Sequence, residues 1–137
     1  MTASLGHQRI ALVVSEGLSA GQAANVSALL MGQISAAEPS VYAEPVLGAD
    51  GNQHAGIRHS TVVLRAGPGQ LSTLAQAARE AGISSCVFSS IGQRLNNAFD
   101  EYKAQLERTA AVELVGVGLV GDHETIRVLT KKFSVLD

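Results

Sequence analysis

The chain has 137 residues, 46% of them hydrophobic and only 16% charged, and a formal net charge of -2. That length suits a single domain spanning 1–137, and a chain whose only adjacent basic pair is Lys131-Lys132 does not bind nucleic acid by charge. One cysteine, Cys86, excludes an internal disulfide framework, the polar Met1–Gln8 stretch lacks the apolar core of a signal peptide, and no window approaches the roughly 20 apolar residues of a membrane span, so the expected location is cytoplasmic, away from any membrane.

Ile10 to Val14 is a continuous apolar run too short for a helix, the pattern of a strand covered on both faces. Gly17, Ser19 and Gly21 punctuate the chain after it, and either Ser15 or Ser19 caps the next helix. From Ala23 the apolar residues Val26, Leu29, Leu30 and Ile34 recur at helical spacing; Pro39 places the helix end by Ala36. Val41 to Val46 reads as a short edge strand interrupted by Pro45, and Ala49-Asp50-Gly51-Asn52 as a turn.

A second main strand is predicted over 57–65, closed by Gly67-Pro68-Gly69. Leu71 to Ala81 is an amphipathic helix with Leu71, Leu74, Ala75 and Ala78 on one face, and Gly82 ends it. Cys86 to Phe88 forms a third strand between serines. Asn96 to Thr109 is a polar helix with Phe99, Tyr102 and Leu106 as its apolar positions. Glu113 to Val120 is a fourth strand, in which Gly116 and Gly118 leave one face open to close approach by another element. A last helix over 124–132 turns Ile126, Leu129 and Phe133 inward. The order predicts an α/β fold, a mixed four-stranded sheet sandwiched between helices.

With that order, Gly17-Leu-Ser-Ala-Gly-Gln22, Asn25-Val26, Glu44-Pro45 and Asp50-Gly51 together resemble the family named domain of unknown function 2000, over nearly the whole chain. That family is similar in turn to the type 2 peptidyl-tRNA hydrolases of archaea and eukaryotes. The shared order is a strand, turn and helix at the start, then the elements read at Leu71–Ala81, Gly82, Cys86–Phe88 and Leu114–Val120. The resemblance implies the peptidyl-tRNA-hydrolase-type-2-like fold and a homodimer. It does not carry the chemistry across. The hydrolases have Gly-Lys-Gly-Lys in the first turn and a Gln four residues later; aligned on Gly21, the essential Lys becomes Ala24 and the Gln becomes Ala28. Their Asp-Ala-Gly-x-Thr becomes Ser90-Ile-Gly-Gln-Arg94, in which only Gly92 survives. A scaffold does not import an activity whose groups are missing.

Strand ends gather candidate site residues at one edge of such a sheet: Ser15, Glu16, Gln22 and Asn25 from the first junction, Ser89, Ser90 and Gln93 from the third. They either form a polar pocket that orients a small-molecule ligand or simply cap helices and satisfy turns. Asn25 either bonds the neighbouring loop or faces a ligand; buried and unpaired, its amide would cost about 1–3 kcal/mol.

His7, His54, His59 and His123 are too scattered for a metal site, and Cys86 in an apolar strand reads as packing. Asp100, Glu101, Lys103, Glu107 and Arg108 make a solvated helix face. Neither Gly67-Pro-Gly69 nor Gly116-x-Gly118 is a cofactor fingerprint. The leading expectation is a small-ligand or partner-binding protein without the hydrolase residues, needing no cofactor. The alternatives are a hydrolase or transferase built on Ser90, Gln22 and His59, and an interaction module whose dimer surface is the point.

Overall fold

Strand β1 (Gln8–Ser15) is the axis of the fold because both of its faces are apolar. Ile10, Leu12 and Val14 point to one side and Ala11 and Val13 to the other, all 4% exposed or less. The computed structural model describes residues 7–137, so Met1–Gly6 of the polar leading stretch lie outside the described residues.

β1 leads into α1 (Ala20–Ala37), which carries Ala23, Val26, Leu30 and Ile34 onto the first face at helical spacing. A 3-10 turn at Pro39–Val41 follows, and Val41 is buried against the same cluster. The expected edge strand over Val41–Val46 does not form in the main sheet. Instead β2 (Val46–Leu47) and β3 (Gln53–His54) make a separate hairpin, because the Asp50-Gly51 turn, with Gly51 at φ +83°, folds this segment on itself.

β4 (Ser60–Ala66) runs parallel to β1, in register from Arg9–Ser60 to Ser15–Ala66. Gly67-Pro-Gly69 then turns directly into α2 (Gln70–Glu80), whose Leu71, Leu74, Ala75 and Ala78 are buried on the opposite face. Gly82 ends α2 at φ +71°: its N–H bonds the Arg79 carbonyl and the Ile83 N–H reaches back to Ala78, the expected left-handed cap.

β5 (Ser84–Ser89) is followed by two short helices, α3 (Ser90–Arg94) and α4 (Phe99–Arg108), where the sequence predicted one helix from Asn96. Asn97 at φ +66° breaks the run. β6 (Leu114–Asp122) inserts antiparallel between β1 and β5, and α5 (His123–Thr130) packs Ile126 beside α2.

The sheet has five strands in the order β5-β6-β1-β4-β7, not four. The added member is β7 (Ser134–Val135), which returns from α5 to pair with Leu64 and Arg65. α1 covers one face, α2 and α5 the other. Gly116 and Gly118 face α1: a Cβ at Gly116 would lie 2.6 Å from Val26 Cγ1, and one at Gly118 2.8 Å from Ile34 Cδ1. The close approach expected of these glycines is the seating of α1 on β6.

Candidate functional site

β1, β4 and β5 all point the same way, so their C-terminal ends, followed by Glu16, Gly67 and Ser90, share one edge with the start of β6. Hollows open there, and two of them take four of the seven expected residues: Gln22, Asn25 and Gln93 line one and Ser15 the other.

The first is a groove of about 400 Å³ between the start of α1 and the α3 segment. Gln22, Asn25 and Leu29 supply one wall, since positions three and four apart share a helix face. Gly92, Gln93 and Asn96 supply the other, over Phe88. The Phe88 ring lies against the backbone of α3 because residue 92 is a glycine; a Cβ there would stand 2.6 Å from ring Cζ. No lining residue carries a charge. Four carboxamides, each donor and acceptor, surround one aromatic and one aliphatic side chain. Such a lining can hydrogen-bond the edge of an uncharged ligand and cover its apolar face, but it holds no group that shuttles a proton near neutral pH.

Asn25 is exposed on this wall rather than buried, so its amide needs no protein partner and pays no burial cost. Gln22 has a structural duty as well. Its Oε1 accepts from the Ser19 N–H at 2.9 Å while its own N–H donates to Ser19 Oγ at 3.2 Å, a capping box that starts α1. Of the two possible caps, Ser19 is the one used.

The second hollow, of about 240 Å³, is lined by Ser15, the Gly67-Pro-Gly69 loop, Ser72, Glu113 and Leu114. Glu16 is exposed beside Gly67 and outside the amide groove. Ser89 is 3% exposed and its Oγ has no protein partner; Ser90 starts α3 with its N–H on the Glu113 carbonyl at 3.0 Å. The two serines therefore stand outside the groove, and the third junction contributes Gln93 instead. Sequence reasoning missed Gly21, Leu29, Phe88, Gly92 and Asn96. Helical spacing from Asn25 to Leu29 was the available signal for Leu29; Asn96 lies in the turn after α3 and shares no helix with Gln93.

The constellation of Ser90, Gln22 and His59 does not form. His59 immediately precedes β4, at the edge where β1 begins, and Ser90 follows the opposite end of β5. The other histidines are no nearer a serine nucleophile role: His54 sits in the hairpin, 3.0 Å from Asp50, and the His123 N–H bonds the His7 carbonyl beside the start of β1. Hydrogen bonds from the Asn52 backbone and side chain, and then from His54, lower the Asp50 pKa, which fixes that carboxylate as a turn anchor. Burial raises the Cys86 pKa, and its thiol donates to the Leu30 carbonyl, so Cys86 is a packed thiol and not an activated one. Among the described residues no three His, Cys, Asp or Glu side chains converge as metal ligands, and no helix is long and apolar enough to cross a membrane.

A family model described as "Protein of unknown function (DUF2000)" matches residues 8–137, from the first residue of β1 to the end of the chain. The chain belongs to the DUF2000 family. In this DUF2000 chain Gln22, Asn25 and Asp50-Gly51 fall on the α1 cap, the groove wall and the hairpin turn. Among solved structures, a protein of unknown function, Atu0240 from Agrobacterium tumefaciens str. C58, aligns with a TM-score of 0.82 at 20% identity, covering 95% of this chain and 98% of that one. A likeness at that identity establishes the fold. No curated protein matches the DUF2000 chain.

Proposed function

We propose that this chain is a binding protein that holds a small uncharged ligand in the amide groove, on a scaffold similar to that of the type 2 peptidyl-tRNA hydrolases but without their reaction. The observation that carries the reading is the lining: Gln22, Asn25, Gln93 and Asn96 around Phe88 and Leu29, with no charged side chain among them. Small-molecule sites combine apolar wall with converging polar groups, and this groove has both, with the polar share larger than usual. The ligand class that fits is planar and amide-bearing, with its edge read by carboxamides and its face laid on Phe88.

The substitutions at the first and third junctions support the same reading. Ala24 and Ala28 stand where the hydrolases carry Lys and Gln, and Ser90 and Arg94 where they carry Asp and Thr. A single half-buried thiol fits work in the reducing cytoplasm.

A thermal-shift screen against a library of neutral metabolites tests the proposal. A ligand present at about 100 times its Kd adds about 2.7 kcal/mol of stability, a readily visible shift. Asn25→Ala and Gln93→Ala, both at accessible positions, are expected to keep the parent melting temperature and to weaken binding about tenfold each, the value of one hydrogen bond of about 1.4 kcal/mol. Gln22→Ala is a poorer probe because it also opens the cap, at about 1 kcal/mol. A ligand that stabilises the parent and both variants equally would place the site elsewhere and refute the groove.

A further inference from the structure

The amide groove is one half of a longer depression. A hollow of about 520 Å³ opens beside it, and Leu29, Phe88, Gly92 and Asn96 line both. Beyond those shared residues the two halves differ in chemistry. The groove adds the carboxamides of Gln22, Asn25 and Gln93. The hollow adds Leu95, Phe99 and Tyr102, with Asn97 its one further carboxamide. No charged side chain lines either half.

Core packing does not account for the apolar half. α4 buries none of its residues, and neither Phe99 nor Tyr102 joins a core cluster. The two lie three apart, so they share a helix face, and both line the hollow. Phe99 is 69% exposed, and Leu29, which α1 brings to the same hollow, is 47% exposed. A single exposed apolar side chain needs no explanation. Two large ones in one hollow, beside half-buried Leu95 and Tyr102, make a contiguous apolar patch of the kind that marks a ligand groove.

We propose that the ligand of the amide groove is amphiphilic, with a neutral, planar amide head among Gln22, Asn25 and Gln93 and an alkyl tail that passes Phe88 into the hollow beside Phe99 and Tyr102. This rests on the groove being the binding site and adds what the ligand carries beyond its head. Continuity identifies the occupant. A head laid on Phe88 already touches the wall of the hollow, so a substituent pointing away from the carboxamides enters it directly. An alkyl chain asks for no hydrogen bond, and the carboxamides at this end, Asn96 and Asn97, are exposed to water. A free fatty acid does not fit. No lysine, arginine or histidine lines the depression, so its carboxylate would give up water and gain no cation.

A homologous series of probes tests this: benzamide and its 4-methyl, 4-propyl and 4-pentyl derivatives, titrated into the full chain by calorimetry. A fully buried methylene is worth about fourfold in affinity. This hollow is open to solvent, so about twofold per carbon is expected, and about thirtyfold from benzamide to 4-pentylbenzamide. Phe99→Ser, at an exposed position, is expected to keep the parent melting temperature and to cut that gain to less than about fivefold. Asn25→Ala is expected to weaken every member by the same factor and to keep the dependence on chain length. The two possible failures read differently. Probes that all bind, with affinity independent of chain length or with a dependence that Phe99→Ser leaves intact, overturn the tail and leave the amide groove standing. Affinity that climbs with chain length but ignores both Asn25→Ala and Gln93→Ala overturns the head and tail arrangement together with the groove. Absence of binding across the whole series does the same.

Discussion

Leu119→Ala is expected to lower stability by about 3–4 kcal/mol and the melting temperature by about 12–15 °C. Leu119 is 0% exposed, on the middle of β6, facing α2 and α5. Its transfer term alone amounts to about 2 kcal/mol, and the rest depends on whether the void can close. It cannot close cheaply here. The cross-strand neighbour is Ala11, and α2 contributes Ala75 and Ala78 to the same cluster, so the short side chains nearby have nothing to swing into the gap. A urea midpoint shift at constant slope is the measurement. A loss below about 1 kcal/mol would mean that α2 and α5 settle onto the sheet without cost, against the tight packing of protein interiors.

The opposite error, adding volume, is expected to be nearly as damaging on the α1 face. Gly118→Val places a Cβ 2.8 Å from Ile34 Cδ1, with Leu30 Cβ and Cys86 Sγ at 3.4 Å, before its two methyl groups are counted. Leu30 and Ile34 are 2% and 3% exposed and have no free direction to move. Overpacking of this kind costs up to about 3 kcal/mol, while the gain in strand propensity from glycine to valine is at most about 1 kcal/mol. The clash wins, for a net loss of about 2 kcal/mol or about 8 °C in thermal unfolding. An unchanged or raised melting temperature would show that α1 does not rest on Gly118. The two substitutions act on opposite faces but are neighbours on β6, so a shared backbone shift couples them and the cost of the double variant is not a simple sum.

How legible was this protein before its structure? The layers were read from residues whose periodicity serves one purpose only. Ile10 to Val14 is apolar at every position because both faces of β1 are covered, and Leu71, Leu74, Ala75 and Ala78 repeat as a helix on a sheet must. Gly116 and Gly118 signalled close approach through the absence of side chains, and α1 fills that space. What escaped the reading has no period. β7 is only Ser134 and Val135, paired because α5 carries the chain back beside β4, with the Leu136 N–H on the Val63 carbonyl. The split between α3 and α4 turns on one backbone angle at Asn97.

The site was half legible for a related reason. Strand direction brings Gln22, Asn25 and Gln93 together, and the same direction separates His59 from Ser90, since parallel β1 and β4 place the start of β4 at the far edge. Asn25 was harder. One residue along an α-helix is a turn of 100°, enough to bury Val26 completely and leave Asn25 exposed on the groove wall. Ser89 and Ser90 sit at the right edge but outside the groove, a distinction that belongs to the start of α3 and not to residue type.

On the proposed reading, the edge where the strands end binds a ligand and does not cleave one. Its two hollows offer carboxamides, serine hydroxyls and one carboxylate, Glu113, with no lysine, arginine or histidine lining either. Incubating the purified chain with peptidyl-tRNA and following release of the free tRNA tests this most directly. Release no faster than in buffer alone is expected. Release over many turnovers, abolished by Ser90→Ala, would contradict it.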